Sequence, residues 1–211
     1  MPYYGSFNTS KKILNQIKWK KERKDEIWRQ IVKYKIHNQA RLLKKLNIAG
    51  YEKLLEFEKE VEMADNTNRE GHAAKVYFNL LFTKDFIRGT NSMINSGLDY
   101  GYAIILSTIN KDVVSKGYIT QIGINHKSEF NQFNLTCDLM EPFRPLIDEI
   151  VYNNQNLEFD RIQKYKLIDV LNNKVKINGK EQFVGNAIPI YIQSVFDALE
   201  NNESKIINYE I

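Results

Sequence analysis

The 211-residue sequence predicts an all-α, mainly helical fold. Apolar residues recur at spacings of three and four over most of the chain, which places them on one face of a helix. No Pro or Gly occurs between Lys11 and Asn47, so this stretch contains no helix breaker. Strand-like alternation is confined to residues near 174–184, where Asn178-Gly179 is a turn signal that favours a short β-hairpin.

The first half of the chain begins with residues 1–10, which have no period and are interpreted as a linker remnant. Thr9 or Ser10 can cap the helix that follows. Four residues that favour a helix start, 65–68, precede Glu70, which falls in the first turn of the next helix. The predicted helices of this half span 11–47 (one long helix, or two in line), 51–63 and about 65–81.

The second half is predicted to begin with a loop over 83–91. A long helix then follows and ends at Gly117, a residue type common just past a helix end. Pro142 and Pro145 must lie in the first turn of a later helix or kink it. His126 lies in a stretch without a clean period, which is interpreted as a loop. The predicted helices of this half span about 98–113, 135–152, 159–171 and 188–199.

Composition excludes several classes of protein. With 43% hydrophobic and 27% charged residues, the chain is an ordinary globular sequence. Its single Cys excludes a disulfide framework and a zinc site built from several thiolates. No apolar run approaches the roughly 18 residues of a membrane span, and no signal peptide is recognisable. We therefore expect no membrane partner and a cytoplasmic location.

Charge is unevenly distributed. Residues 1–47 contain 13 Lys and Arg and 3 Asp and Glu, a charge of 13 − 3 = +10, so the remaining residues carry 4 − 10 = −6. A basic segment before an acidic body indicates a polyanion partner and a carboxylate-rich site elsewhere. The alternative is a solvated helix that happens to be rich in Lys.

Four side chains are candidates for metal chemistry. Asp138 and Glu141 are three residues apart on a predicted helix and share a face. Glu70 lies in line with the predicted buried face of its helix, and His126 adds an imidazole. Oxygen ligands with one imidazole suit Mg²⁺ or Mn²⁺ better than Zn²⁺.

Each candidate side chain also has an explanation that involves no metal ion. Asp138, Glu141 and Asp148 fit a solvated stripe of one helix. His126 fits an ordinary loop histidine, and Glu70 fits a carboxylate stabilised by the dipole at a helix N-terminus. Spacing alone leaves these alternatives open.

Longer strings resemble the catalytic domain of the CRISPR-associated integrase family (Cas1), whose members insert new spacers into CRISPR arrays. The REGHAA and FNQFNL runs are most similar to the type II branch. The resemblance covers nearly the whole chain. The strings that carry it are NREGHAAKVYFNLLF, GLDYGYAIILS, GYITQIGINHKSEFNQFNL and CDLMEPFRPLIDEIVYNN.

The resemblance implies a site and a fold. The family's metal ligands match Glu70 in REGHAA, His126 in GINHKSEF and Glu141 in DLMEPFR. Asp138 matches an acidic position that some members use near the site, and Arg69 flanks the first ligand. The implied cofactor is Mg²⁺ or Mn²⁺. The implied fold is all-α, in agreement with the periodicity.

The resemblance also implies what is missing. Family members begin with a β-rich domain, and this chain resembles the part after it, so residues 11–211 are expected to be a helical integrase and nuclease domain. In the family, the β-domain supports the homodimer and docking of the small adaptation partner Cas2. Homodimer formation by this chain is therefore in question.

The implied activity is metal-dependent phosphodiester chemistry on double-stranded DNA. The 3′-hydroxyl of spacer DNA attacks a repeat boundary, or water attacks in an endonuclease reaction. Activity is expected to fall below about pH 6 to 6.5, because a metal ligand must be neutral imidazole. The alternative is a non-catalytic helical fragment that binds DNA or a protein partner. The residues expected to contact the DNA backbone are Lys18, Lys20, Lys21, Arg23 and Lys24.

Overall fold

The computed structural model describes residues 9–156, 159–200, 205–207 and 209–210. Most of these residues are helical, so the predicted fold class is confirmed. The helices of this part are α1 (Thr9–Ile17), α2 (Lys21–Lys45), α3 (Glu52–Lys59), α4 (Arg69–Leu81), α5 (Met93–Ser115), α6 (Asn134–Met140), α7 (Arg144–Asn153), α8 (Arg161–Ile168) and α9 (Val184–Glu200). Among them, none is both long and apolar enough to cross a membrane.

The N-terminal basic stretch forms two helices, α1 and α2, separated by residues 18–20. Gln16 fixes the end of α1, because its buried side-chain amide donates to the carbonyls of Ile119 and Ile122 at 2.8 and 3.0 Å. The helix starts earlier than predicted, since Thr9 and Ser10 are already helical. The rest of the predicted linker, residues 1–8, lies outside the described residues.

Helix α2 is the central element of the core. Its apolar side chains Ile27, Ile31 and Ile36 have no exposed surface. It packs against α3, α4, α7, α9 and the turn that precedes α7. A side chain that α2 points inward therefore reaches the start of α4 and the region before α7 together.

The predicted helix over 135–152 is two helices. A 3₁₀ turn, Glu141–Phe143, separates α6 from α7, with Pro142 in the turn and Pro145 near the start of α7. Proline is tolerated at such positions because the first N–H groups of a helix have no intrahelical partner. The break turns the chain and directs Glu141 into the core.

A small antiparallel sheet accompanies the helices. Strands β1 (Lys174–Ile177) and β2 (Lys180–Phe183) form the predicted hairpin, with Asn178 and Gly179 at φ values of 50° and 73°. Two positive φ values define the tight turn that suits the twist of a hairpin. A further strand, β3 (Tyr209–Glu210), pairs with β1 and was not predicted from sequence.

Candidate functional site

Two acidic side chains meet on one lysine in the interior. The Lys35 Nζ lies 2.6 Å from Oε1 of Glu70 and 2.5 Å from Oε2 of Glu141. Arg144 adds a second cation, because its Nε donates to the same Glu141 oxygen at 2.9 Å. We call these four residues the Lys35 cluster. Helices α2, α4 and α7 and the 3₁₀ turn between α6 and α7 therefore supply one group of paired charges.

Glu70 is placed by the start of α4. Asp65 accepts hydrogen bonds from the backbone N–H groups of Arg69 and Glu70 at 2.8 and 3.0 Å, and Asn68 accepts one from Gly71. These two side chains satisfy N–H groups that the helix leaves free. Since Asp65 and Asn68 do the capping, the Glu70 carboxylate is left to face Lys35.

Glu141 is placed by the 3₁₀ turn and is only 2% exposed. The Asn38 side chain on α2 fastens this turn by donating to the Pro142 carbonyl at 3.1 Å. Burial alone would raise the pKa of Glu141, but the charges of Arg144 and Lys35 outweigh it and lower that pKa. The carboxylate is therefore ionised at neutral pH.

The alternative explanation, in which Asp138, Glu141 and Asp148 form a solvated stripe of one helix, is wrong. Asp138 and Asp148 have no exposed surface, and Glu141 has almost none. Asp148 accepts hydrogen bonds from the hydroxyls of Tyr77, at 2.8 Å, and Tyr102. Each buried carboxylate thus has its own set of donors, as buried charges require.

Asp138 and His126 form a second arrangement beside the Lys35 cluster. The Asp138 carboxylate accepts from the backbone N–H groups of Ile124, Asn125 and His126 at 2.6, 3.0 and 3.1 Å. It also contacts the His126 Nδ1 at 2.6 Å. A carboxylate that accepts from three N–H groups acts as an acceptor toward the imidazole too, so in the neutral form of His126 the proton is on Nδ1 and the lone pair is on Nε2.

The surroundings of His126 favour its charged form. The hydrogen bond to Asp138 raises the pKa of His126, and the charges of Glu141 and Glu70 add to that rise, against the opposing effect of burial. The indole of Trp28 packs edge-on against the imidazole, with ring centroids 5.7 Å apart. The histidine is thus held on two sides and lies within the electrostatic reach of both glutamates.

Gly123 permits this arrangement. A Cβ atom at position 123 would lie 2.7 Å from Oδ2 of Asp138 and against the carbonyl of His126. Any side chain would therefore displace the loop from the carboxylate. Sequence reasoning did not single out this residue.

Among the described residues, no three His, Cys, Asp or Glu side chains converge closely enough to hold a metal ion. Glu70 and Glu141 meet on Lys35, while His126 is turned to Asp138. The Lys35 ammonium nevertheless occupies a position at which both glutamates hold a cation. Two carboxylates that share a cation are oxygen donors of the kind that Mg²⁺ or Mn²⁺ prefers.

Lys35 was missed from the sequence, although a signal was present. It lies seven residues after Trp28 and four after Ile31, on the buried face of α2. A lysine on an apolar stripe requires a buried partner of opposite charge. Arg69, in contrast, pairs with Glu60 at 3.1 Å and lies over the ring of Phe57.

The predicted DNA-contacting residues fall into separate groups. Lys24 donates to the carbonyl of Gly123 at 3.2 Å and lines a cavity of about 440 Å³ together with His126 and Lys127. Lys18, Lys20 and Arg23 line a different cavity of about 240 Å³. Lys21 pairs with Asp25 at 2.7 Å. Only Lys24 of the five adjoins the candidate site directly.

The fold and site define a mainly helical protein with a buried group of acidic, basic and imidazole side chains. The family model described as CRISPR associated protein Cas1 matches residues 3–163. The chain therefore belongs to the Cas1 family.

Two relatives illustrate the similarity in sequence. The CRISPR-associated endonuclease Cas1 of Neisseria meningitidis serogroup C is 35% identical over 147 residues, which cover 69% of this chain and 48% of that protein. The CRISPR-associated endonuclease Cas1 of Thermotoga maritima is 24% identical over 191 residues, covering 83% of this chain and 59% of that protein. The chain thus spans about half the length of these relatives.

Solved structures share the fold. A Cas1 protein from Thermotoga maritima superposes with a TM-score of 0.78 at 18% identity, over 92% of this chain and 71% of that one. A casposase bound to integration product gives a TM-score of 0.74 at 20% identity, over 94% and 71% of the two chains. A partial Cas6-RT-Cas1–Cas2 complex gives 0.75 at 20% identity, over 95% and 74%.

Proposed function

We propose that this chain is the helical catalytic part of a Cas1-family DNA integrase and endonuclease that acts in CRISPR adaptation. The observation that carries the proposal is the convergence of Glu70 and Glu141 on a single cation position, at 2.6 and 2.5 Å from Lys35 Nζ. The REGHAA and FNQFNL strings support assignment to the type II branch.

In this proposal Glu70, His126 and Glu141 hold Mg²⁺ or Mn²⁺. The bound ion supplies positive charge that orients a scissile phosphate and stabilises the charge of the transition state. Asp138 holds the Nδ1–H of His126, which leaves Nε2 as the ligand atom. Arg144 keeps Glu141 ionised. The attacking group is the 3′-hydroxyl of spacer DNA or water.

The proposed partners are double-stranded DNA and Cas2. Lys24 and Lys127 line the cavity next to His126 and are placed to neutralise backbone phosphates there. Proteins with this fold occur in complexes described as containing Cas2 or an integration product, which supports both partners.

A second candidate is a non-catalytic helical module that binds DNA or a protein partner. The ion pairs of the Lys35 cluster favour it, because the charges of Lys35 and Arg144 together already balance those of both glutamates. On this view the Lys35 cluster only stabilises the packing of α2 against α4.

Mn²⁺-dependent cleavage and strand transfer on duplex DNA distinguish the two candidates. We expect Glu70→Gln and Glu141→Gln to abolish both reactions and to remove the rise in melting temperature that Mn²⁺ causes. The matched control is Glu62→Gln, a carboxylate on the surface, which should behave as wild type. Reactions that persist in both site variants would contradict the integrase proposal.

A further inference from the structure

Lys35 lies in an unusual position for a lysine. Its side chain is only 9% exposed, and its ammonium is surrounded by the carboxylates of Glu70 and Glu141. The side chain leaves α2 on the same face as Trp28 and Ile31, both buried. A lysine stem packed among apolar groups with a doubly paired charged end is a specific structural arrangement rather than a chance surface contact.

Charge balance explains why a cation is needed there. Glu141 is buried and Glu70 is three-quarters buried, with a side-chain exposure of 24%. Two carboxylates that face one point repel each other unless a positive charge lies between them. Arg144 contacts only the Glu141 side of this pair. Lys35 is the cation that both carboxylates share in the described part of the chain.

The same position cannot hold an ammonium and a metal ion. A carboxylate oxygen binds Mg²⁺ at about 2.0–2.1 Å, so an ion between the two glutamates would occupy the space of the Lys35 Nζ. The lysine stem has four carbon atoms joined by rotatable bonds, so a change of rotamer would withdraw its charged end. Repulsion between the two cations would drive that withdrawal.

We propose that Lys35 is a resident counter-ion of Glu70 and Glu141, which keeps the metal-free site assembled and is displaced when a divalent ion binds. This inference rests on the proposed function, since it presupposes that the two glutamates are metal ligands. It assigns Lys35 two measurable effects. It stabilises the chain without metal, and it lowers the affinity for the divalent ion.

Variants of Lys35 with and without a charged side chain test both its effect on stability and its effect on metal affinity. Lys35→Gln and Lys35→Met remove the charge, while Lys35→Arg retains it. The matched control is Lys45→Gln, because Lys45 also lies on α2 and pairs with Glu149 at 2.6 Å but is 63% exposed. The measurements are Mn²⁺ affinity by isothermal titration calorimetry and melting temperature in a chelator and in excess Mn²⁺, all on the full chain.

We expect both neutral variants to melt at a lower temperature than wild type in the chelator and to recover most of the loss in Mn²⁺. Their Mn²⁺ affinity should rise by about tenfold or more, because no ammonium must be displaced. Lys35→Arg and Lys45→Gln should keep the wild-type affinity. A neutral variant that folds only when Mn²⁺ is present would support the same conclusion.

Two results would overturn the inference and separate it from the proposed function. If wild type binds Mn²⁺ and Lys35→Gln binds it equally or more weakly, Lys35 is not a competitor, although the metal site stands. If neither protein binds Mn²⁺, the inference and the metal-dependent function are both wrong.

Discussion

The Nδ1 atom of His126 lies 2.6 Å from Oδ1 of Asp138, a carboxylate without exposed surface. The same carboxylate accepts hydrogen bonds from three consecutive backbone N–H groups of the loop that carries the histidine. One side chain on α6 therefore fixes both the path of the loop and the orientation of the imidazole. Asp138 acts as a positioning residue, since its hydrogen-bond partners all belong to this loop.

Asp138→Asn should destabilise the protein by about 2–4 kcal/mol. Asparagine presents one carbonyl oxygen and one NH₂ group in place of two carboxylate oxygens. At least one loop N–H would therefore face the NH₂ donor and lose its hydrogen bond. Urea unfolding followed by circular dichroism measures the change. Asp99→Asn, on an exposed side chain, is the control. A loss below about 0.5 kcal/mol would show that the loop does not depend on this carboxylate.

The dependence of Mn²⁺ binding on pH should report the protonation state of the His126 imidazole. Since Asp138 holds Nδ1–H, the second proton adds to Nε2, the proposed ligand atom, and competes with the metal. The pKa of His126 is raised, so affinity should begin to fall on acidification above the ordinary value of 6.5. The expectation from sequence alone, a fall below about pH 6 to 6.5, is therefore shifted upward.

The measurement is the Mn²⁺-induced rise in melting temperature between pH 5 and 8, compared for wild type and Asp138→Asn. Without the Asp138 charge, the fall should move to lower pH. An identical midpoint in the two proteins would contradict the proposed role of the carboxylate.

Asp148 should make stability decrease as pH rises through the weakly acidic range. Burial raises its pKa from 3.8 to about 6, against the opposing effect of hydrogen bonds from Tyr102 and Tyr77. Between these pH values the unfolded chain releases this proton while the folded chain keeps it, so ionisation favours unfolding. A shift of about two units corresponds to roughly 3 kcal/mol.

The test compares the free energy of unfolding of wild type and Asp148→Asn from pH 4 to 6.5. Asparagine does not ionise, so we expect the variant to lack the loss caused by Asp148 ionisation and to lose less stability than wild type as pH rises. The control is Asp169→Asn, at an exposed position. The same pH profile in wild type and Asp148→Asn would refute the assignment.

Gly101 should not tolerate a side chain. A Cβ atom there would lie 3.1 Å from Cδ2 of Leu167 and closer still to the side chain of Ile147, where α5 crosses α7 and α8. We expect Gly101→Ala to lower the free energy of unfolding by about 1–3 kcal/mol through overpacking. Gly185→Ala, also helical but with its nearest neighbour at 3.5 Å, should cost nothing. Equal effects of the two substitutions would contradict the steric argument.

Lys18 and Lys20 should contribute to DNA affinity in a salt-dependent way. Both are exposed and line the cavity at the break between α1 and α2. Changing both to Gln should reduce the slope of log affinity against log salt by roughly 0.9 for each phosphate contact that is lost. Lys174→Gln, on β1, is the control. An unchanged slope would place the DNA elsewhere.

Local sequence predicted those elements that short-range interactions control. The cap residues before α4 and the Asn178-Gly179 turn were found because each satisfies or bends the backbone within a few residues. Element ends were less accurate: α3 ends at Lys59 rather than near Met63, and α1 begins before Lys11. Strand β3 was missed because two residues pair with a strand more than 30 positions earlier, which no local pattern reveals.

The sequence by itself determined that the chain is mainly helical, that its N-terminal stretch is basic, and, through its long strings, which side chains to consider as ligands. Only the tertiary structure decided how those side chains are paired. Lys35 reaches Glu70 and Glu141 because α2 packs between α4 and the turn before α7, and Asp138 reaches His126 across 12 residues. Such pairings depend on the packing of separate elements, which the spacing within a single helix does not encode.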